Sequence, residues 1–356
     1  MRKNTFFSLL FILLVISSCG AKDKDGDGFT PPDDCDDGNS NIHPNSIEYC
    51  FDGVDNDCDG IADVGPICDL ECKETDDYIF CPNVPYKIMS GVDPSLLSVD
   101  LYFPKELRSS DREYPVMMYV HGGGWTIGDK SNTHSKDEFF TENNYIFISV
   151  NYRLTSFDFS TGYHNGIKYP HHNEDLASAI NWVYDNIRYF RGDINNLLLM
   201  GHSVGGGMVA AVGTNERFLE TEGLTLNNIK CVVVLDHAGL NITERMSNCL
   251  EPVPENTCDG YIAVFGYDPL TRYVASPINN IESNKNIPKF FLVTKNNPFS
   301  ISRSKVFADK LSKNSIYNKL LTVDYTHRQI NVRFGDDRDT IMTPYVYEFL
   351  ETKCTR

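Results

Sequence analysis

The chain has 356 residues, 41% of them hydrophobic, with 19 Tyr and 21 Phe, which is enough for a large core and unlike a disordered chain. Its length suits a catalytic domain of roughly 250–280 residues plus additional material. The formal charge of −17 argues against nucleic-acid binding, which needs a basic face, and it is local: residues 20–77 carry 18 Asp/Glu against 3 Lys/Arg.

Residues 1–18 read as an export signal. Arg2 and Lys3 precede the apolar run Phe6 to Ile16, which is too short to span a bilayer comfortably. Ile16-Ser17-Ser18-Cys19 resembles a bacterial lipobox, whose cysteine carries lipid after cleavage. The resemblance implies a membrane lipoprotein anchored through Cys19 at the outer membrane or cell surface, with about 0.8 kcal/mol for each buried methylene. Without Cys19, ten of the 11 cysteines remain, six before residue 82 and four after residue 230. Even numbers in an exported chain predict disulfides, and Cys249 with Cys258 is close enough to pin one loop.

Residues 19–66 are rich in Asp, Gly and Asn and cannot build an apolar core alone. Asp23-Lys24-Asp25-Gly26-Asp27-Gly28 has calcium-loop spacing, with oxygens at positions 1, 3 and 5, glycine at 6 and Asp34 at position 12. Asp55, Asp57 and Asp59 with Gly60 repeat it, and Asp63 takes position 9. Flanking helices are not evident, so an EF-hand pair is not expected. The segment resembles the Asp- and Cys-rich metal-binding repeats of exported bacterial proteins, which implies structural Ca2+. Residues 67–85 read as a connector.

From residue 86, strands alternate with helices, which predicts an α/β domain to residue 356 with a mainly parallel sheet covered on both faces. The strand candidates are Leu97–Phe103, Val116–Val120, Tyr145–Val150, Leu197–Met200, Cys231–Leu235, Lys289–Val293 and Leu320–Asp324. The helix candidates are His172–Tyr189, Gly205–Gly213, Ser302–Leu311 and Pro344–Leu350.

Two motifs carry chemistry. Gly201-His202-Ser203-Val204-Gly205 follows a strand and opens a small-residue helix, which presents the Ser203 hydroxyl on a sharp turn. His121-Gly122-Gly123-Gly124-Trp125 follows the strand Val116–Val120. Attack on an acyl carbon creates an oxyanion, which backbone N–H groups of Gly123, Gly124 and Val204 would hold.

With these motifs the chain resembles the α/β-hydrolase superfamily, in particular bacterial carboxylesterases of the feruloyl-esterase-like and kynurenine-formamidase-like branch. Gly128-Asp129-Lys130, Asn151-Tyr152-Arg153-Leu154, Tyr169-Pro170 with Asp175, and Ala275-Ser276-Pro277-Ile278 extend the likeness. It implies an α/β-hydrolase fold behind a small disulfide- and metal-dependent module. It also implies a serine esterase that forms an acyl-serine from a small-molecule ester and needs no cofactor for catalysis. The order Ser…His makes His327, after the last strand, the expected base.

The acid breaks the family pattern. The usual Asp after Lys289–Val293 is replaced by Lys295-Asn296-Asn297. Asp236, at the end of Cys231–Leu235, is favoured slightly over Asn297, and Asp268 is a third candidate. Two other readings stand beside esterase: an amidase or formamidase of the same fold, and a degenerate hydrolase acting as a surface binding protein.

Overall fold

Residues 22–237, 239–249 and 258–355 are described in a computed structural model of the chain. The expected signal segment and Cys19 lie outside the described residues. One compact unit takes the residues up to Glu48 together with Val54–Asp63; the other takes Tyr49–Gly53 and Val64–Arg356.

In the larger unit the strands are β1 (Lys73–Glu74), β2 (Tyr78–Pro85), β3 (Ser98–Pro104), β4 (Tyr114–Val120), β5 (Ile146–Val150), β6 (Phe157–Asp158), β7 (Tyr163–His164), β8 (Gly192–His202), β9 (Cys231–Leu235), β10 (Lys289–Lys295) and β11 (Asn318–Val323). The helices are α1 (Lys136–Glu142), α2 (His171–Asn186), α3 (Val204–Val212), α4 (Arg217–Glu220), α5 (Ile242–Arg245), α6 (Asp259–Phe265), α7 (Pro269–Ala275), α8 (Pro298–Lys313), α9 (His327–Arg333) and α10 (Met342–Phe349). Nine strands form one sheet in the order β1-β2-β3-β5-β4-β8-β9-β10-β11. The pairs from β5 to β11 are parallel, and those joining β1, β2, β3 and β5 are antiparallel. β6 and β7 form a separate two-stranded ribbon.

Strand side chains alternate between faces, so each central strand divides its apolar residues between two cores. Val116, Met118, Leu199, Val232, Val234, Phe290 and Leu292 lie in one cluster, with Leu176 and Ile180 of α2, Met208 and Val209 of α3, and Phe307 of α8. Met117, Tyr119, Leu198, Met200, Val233, Phe291 and Val293 lie in the other, with Phe140 of α1 and Met342, Val346 and Phe349 of α10. Burial on both faces explains why these strands read as continuous apolar runs. No helix among the described residues is long and apolar enough to cross a membrane.

The stretch read as a connector, 67–85, instead supplies β1 and β2. Two things hide this: β1 is two exposed charged residues, and β2, which alternates buried Ile79 and Cys81 with partly exposed neighbours, carries two prolines. The ten cysteines pair as Cys35–Cys58, Cys50–Cys68, Cys72–Cys81, Cys231–Cys354 and Cys249–Cys258. Cys231–Cys354 ties β9 to the chain end across a separation of 123 residues, the class of loop where a crosslink removes most unfolded-state entropy.

Candidate active site

Ser203 occupies the turn between β8 and α3, with φ 55° and ψ −126°. A non-glycine residue in such a region costs about 1–3 kcal/mol, so the surroundings must hold it there. They do so by close packing. A Cβ on Gly205 would come within 2.2 Å of the Val120 carbonyl oxygen, so only glycine lets the turn rest on the end of β4. Ser203 N–H donates to Leu235 O (2.9 Å), which fixes the turn to β9.

Three side chains meet at this turn. His327 Nδ1 lies 2.6 Å from Asp236 Oδ2, and His327 Nε2 lies 3.0 Å from Ser203 Oγ. An ionised carboxylate only accepts, so Nδ1 carries the proton. Nε2 is then the acceptor for the Ser203 hydroxyl. Burial pushes the Asp236 carboxyl up, but hydrogen bonds from His327 and from Lys295 N–H (3.1 Å) outweigh it and hold it below its usual range. The Asp236 side chain is only 3% exposed, whereas that of His327 is 44% exposed and open to a ligand.

The other two candidates for the acid are elsewhere. Asn297 caps α8, where its side chain accepts from Phe299 N and Ser300 N. Asp268 caps α7 by accepting from Leu270 N and Thr271 N. Both precede a proline at the first helical position, a start signal visible in the sequence.

His327 is the first residue of α9. Thr326 and Gln329 form a capping box, with Thr326 Oγ1 accepting from Gln329 N and Gln329 Oε1 accepting from Thr326 N. The Thr-x-x-Gln spacing is the signal that finds this helix. At its other end Lys136 Nζ, fully buried, donates to Asn331 O (2.6 Å), and Tyr119 OH donates to Asn331 Oδ1 (2.7 Å). Burial pushes the Lys136 ammonium down to about 7. His202 Nε2–H donates to His327 O (3.0 Å); burial, then the neighbouring His327 charge, lowers its pKa to about 3, so its ring stays neutral. No motif in the sequence pointed to Lys136 or to this role of His202.

The glycine loop lies against the nucleophile. A Cβ on Gly122 would come within 2.9 Å of Ser203 Cβ. Gly123 has φ 124°, and a Cβ there would fall 1.8 Å from Ile127 O, so the residue must be glycine. Among the described residues the N–H groups of Gly123, Gly124 and Val204 have no hydrogen-bond partner. The motif residues around the loop brace it. Tyr152 stacks on His121 at 4.5 Å and donates to its carbonyl, while Asn151 accepts from Lys130 N and donates to Asp129. Arg153 pairs with Asp175 (2.7 Å) under the start of α2.

Two cavities open from Ser203 and His327. One, about 430 Å³, is lined by Trp125, Phe157, Arg245, Tyr261 and Lys295. The other, about 480 Å³, is lined by Ile127, His134, Arg328 and Val332. This is room for two substituents on either side of an attacked carbonyl.

In the smaller unit Asp23, Asp25 and Asp27 bring one carboxylate oxygen each within 4.8 Å of one another, and so do Glu48, Asp55 and Asp57. Asp34, Asp59 and Asp63 fall outside both groups, and Glu48 is an addition to the expected set. The two loops repeat in detail, since Asp23 Oδ2 accepts from Gly28 N and Asp55 Oδ2 accepts from Gly60 N. The carboxylate set suits a hard divalent cation. Asp25 Oδ2, Asp27 Oδ2 and Asp34 Oδ2 are buried without a partner among the described residues. Desolvation, then repulsion from Asp27, Asp34 and Asp23, raises the Asp25 carboxyl above its usual range, a penalty a cation would relieve.

Comparison with known proteins agrees with this geometry. Residues 88–218 match the carboxylesterase family, and residues 34–63 match a metal-binding motif. Esterase-5C of Drosophila miranda is 29% identical over 152 residues, which are 42% of this chain and 26% of that protein. Carboxylesterase 1E of Mus musculus is 36% identical over 128 residues, 35% of this chain and 22% of that one. The matched part is thus about a quarter of these relatives' length. Esterase B from Lactobacillus rhamnosis superposes with a TM-score of 0.59 at 17% identity, covering 78% of this chain and 85% of its own. The larger unit has the α/β-hydrolase fold, and the segment that matches the carboxylesterase family model contains both the glycine loop and the Ser203 turn.

Proposed function

We propose that the chain hydrolyses carboxylic esters through an acyl-serine on Ser203. The observation that carries this reading is the line of hydrogen bonds Ser203–His327–Asp236, ending beside three N–H groups with no partner among the described residues. Ser203 Oγ attacks the acyl carbon as its proton passes to His327 Nε2. The N–H groups of Gly123, Gly124 and Val204 hold the negative oxygen that forms. As the tetrahedral species collapses, His327 returns the proton to the departing alkoxide. Water then repeats the sequence on the acyl-serine, releasing the acid and restoring Ser203. Asp236 holds the ring in the required tautomer and stabilises the imidazolium. Purified protein is expected to turn over 4-nitrophenyl butyrate above the buffer rate; a rate equal to buffer overturns the proposal.

The smaller unit is proposed to bind Ca2+ structurally, supported by the paired carboxylate loops and the metal-binding match at residues 34–63. A ligand that binds only the folded unit at a hundredfold excess over Kd adds about 2.7 kcal/mol. Millimolar Ca2+ should therefore slow proteolysis within residues 22–63 and EDTA should restore it, while equal cleavage in both refutes calcium. Export and a lipid anchor at Cys19 complete the proposal, supported by the leader composition and the five disulfides. Metabolic labelling with palmitate tests the anchor, and loss of label in Cys19→Ser is the expected result.

A further inference from the structure

We propose that the ester substrate carries a carboxylate on the portion that enters the cavity lined by Arg245 and Lys295, and that these two cations select it. The inference rests on the esterase reading and names its substrate class.

Among the described residues two basic side chains line this cavity, against one carboxylate, Asp236. Asp236 can balance only one of these two charges, and its oxygens already accept from His327 (Oδ2) and Lys295 N–H (Oδ1). Lys295 Nζ stands 3.9 Å from Asp236 Oδ2, beyond hydrogen-bond reach, with its side chain 37% exposed. Arg245 closes α5, and the acid beside it, Glu244, is engaged by Arg303 through Nη2 (2.8 Å) and Nε (3.0 Å). His237, in the same wall, is held neutral, since burial lowers its pKa to about 4. The described walls therefore present net positive charge at the reacting centre.

The guanidinium is also held in place. Arg245 lies over the Tyr261 ring at 4.8 Å, and Tyr261 packs edge-on against Trp125 at 5.1 Å. This aromatic shelf orients the fork before a ligand arrives, and a planar fork suits a carboxylate. Such a pairing strengthens in a cavity with restricted water. The opposite cavity is different, because it sets Asp129 against Arg328. A neutral substituent suits it better.

Two ester pairs test the proposal and distinguish the side that bears the charge. The acyl pair is 4-nitrophenyl hemiglutarate against 4-nitrophenyl pentanoate. The alcohol pair is 4-acetoxybenzoate against its methyl ester. Wild-type protein at low ionic strength is expected to favour the anionic member of one pair in kcat/KM. In that pair Arg245→Gln should lower the anionic-to-neutral ratio about tenfold, and Arg245→Lys should retain most of it. Because the lysine variant also loses the guanidinium stack, its retention separates charge from packing. Ratios unchanged by Arg245→Gln in both pairs, or wild-type preference for the neutral member in both, overturn the proposal and leave the esterase reading intact. No turnover of any of the four esters defeats both.

Discussion

Ser203→Ala is expected to lower kcat for 4-nitrophenyl butyrate by about a millionfold, the loss seen when a serine hydrolase loses its nucleophile. The alanine removes one oxygen from a turn that backbone packing defines. Gly205 against Val120, Ser203 N–H to Leu235 O, and the start of α3 all remain. Thermal unfolding of the variant should therefore match the wild type. A variant that folds normally and retains a tenth of the rate would mean that another group attacks the ester.

Asp236→Asn is expected to cost about 10⁴-fold in kcat, because an amide can present its NH2 to Nδ1 and favour the wrong imidazole tautomer. The substitution preserves shape, and Lys295 N–H can still donate to the amide oxygen. Asn297→Ala provides the contrast. Asn297 caps α8, so its loss should cost about 1 kcal/mol of stability with little change in kcat. A large rate loss in Asn297→Ala with none in Asp236→Asn would reverse the assignment.

The site and the fold were legible to different depths. Ser203 and the glycine loop announce themselves because their chemistry needs backbone that only particular residues adopt, and Gly123 and Gly205 leave no alternative. The central strands are legible because burial on both faces demands apolar runs. Choosing Asp236 needs the third dimension. Parallel pairing sets Leu235 opposite Val293, and this places Asp236 one step beyond, under the imidazole that α9 delivers from 91 residues away. Nothing in the local sequence of Asp236 records that meeting. Asn297 competes for the role because it falls nearest the family's usual acid position after β10, whereas Asn297-Pro298 is a helix-start signal. β1 was hidden because it is two exposed charged residues, and β2 because Pro82 and Pro85 interrupt its alternating apolar pattern. Arg245 and Lys136 were hidden because isolated basic residues carry no pattern, and only their surroundings make one a cavity wall and the other a buried tie to α9.

The most direct measurement of the central claim is mass spectrometry after treatment with a fluorophosphonate, which reacts only with a serine activated by its base and oxyanion donors. The account predicts one stoichiometric adduct, on the peptide containing Ser203, accompanied by complete loss of ester hydrolysis. An unmodified Ser203 in protein that still hydrolyses the ester, or an adduct on a different residue that abolishes activity, would contradict it.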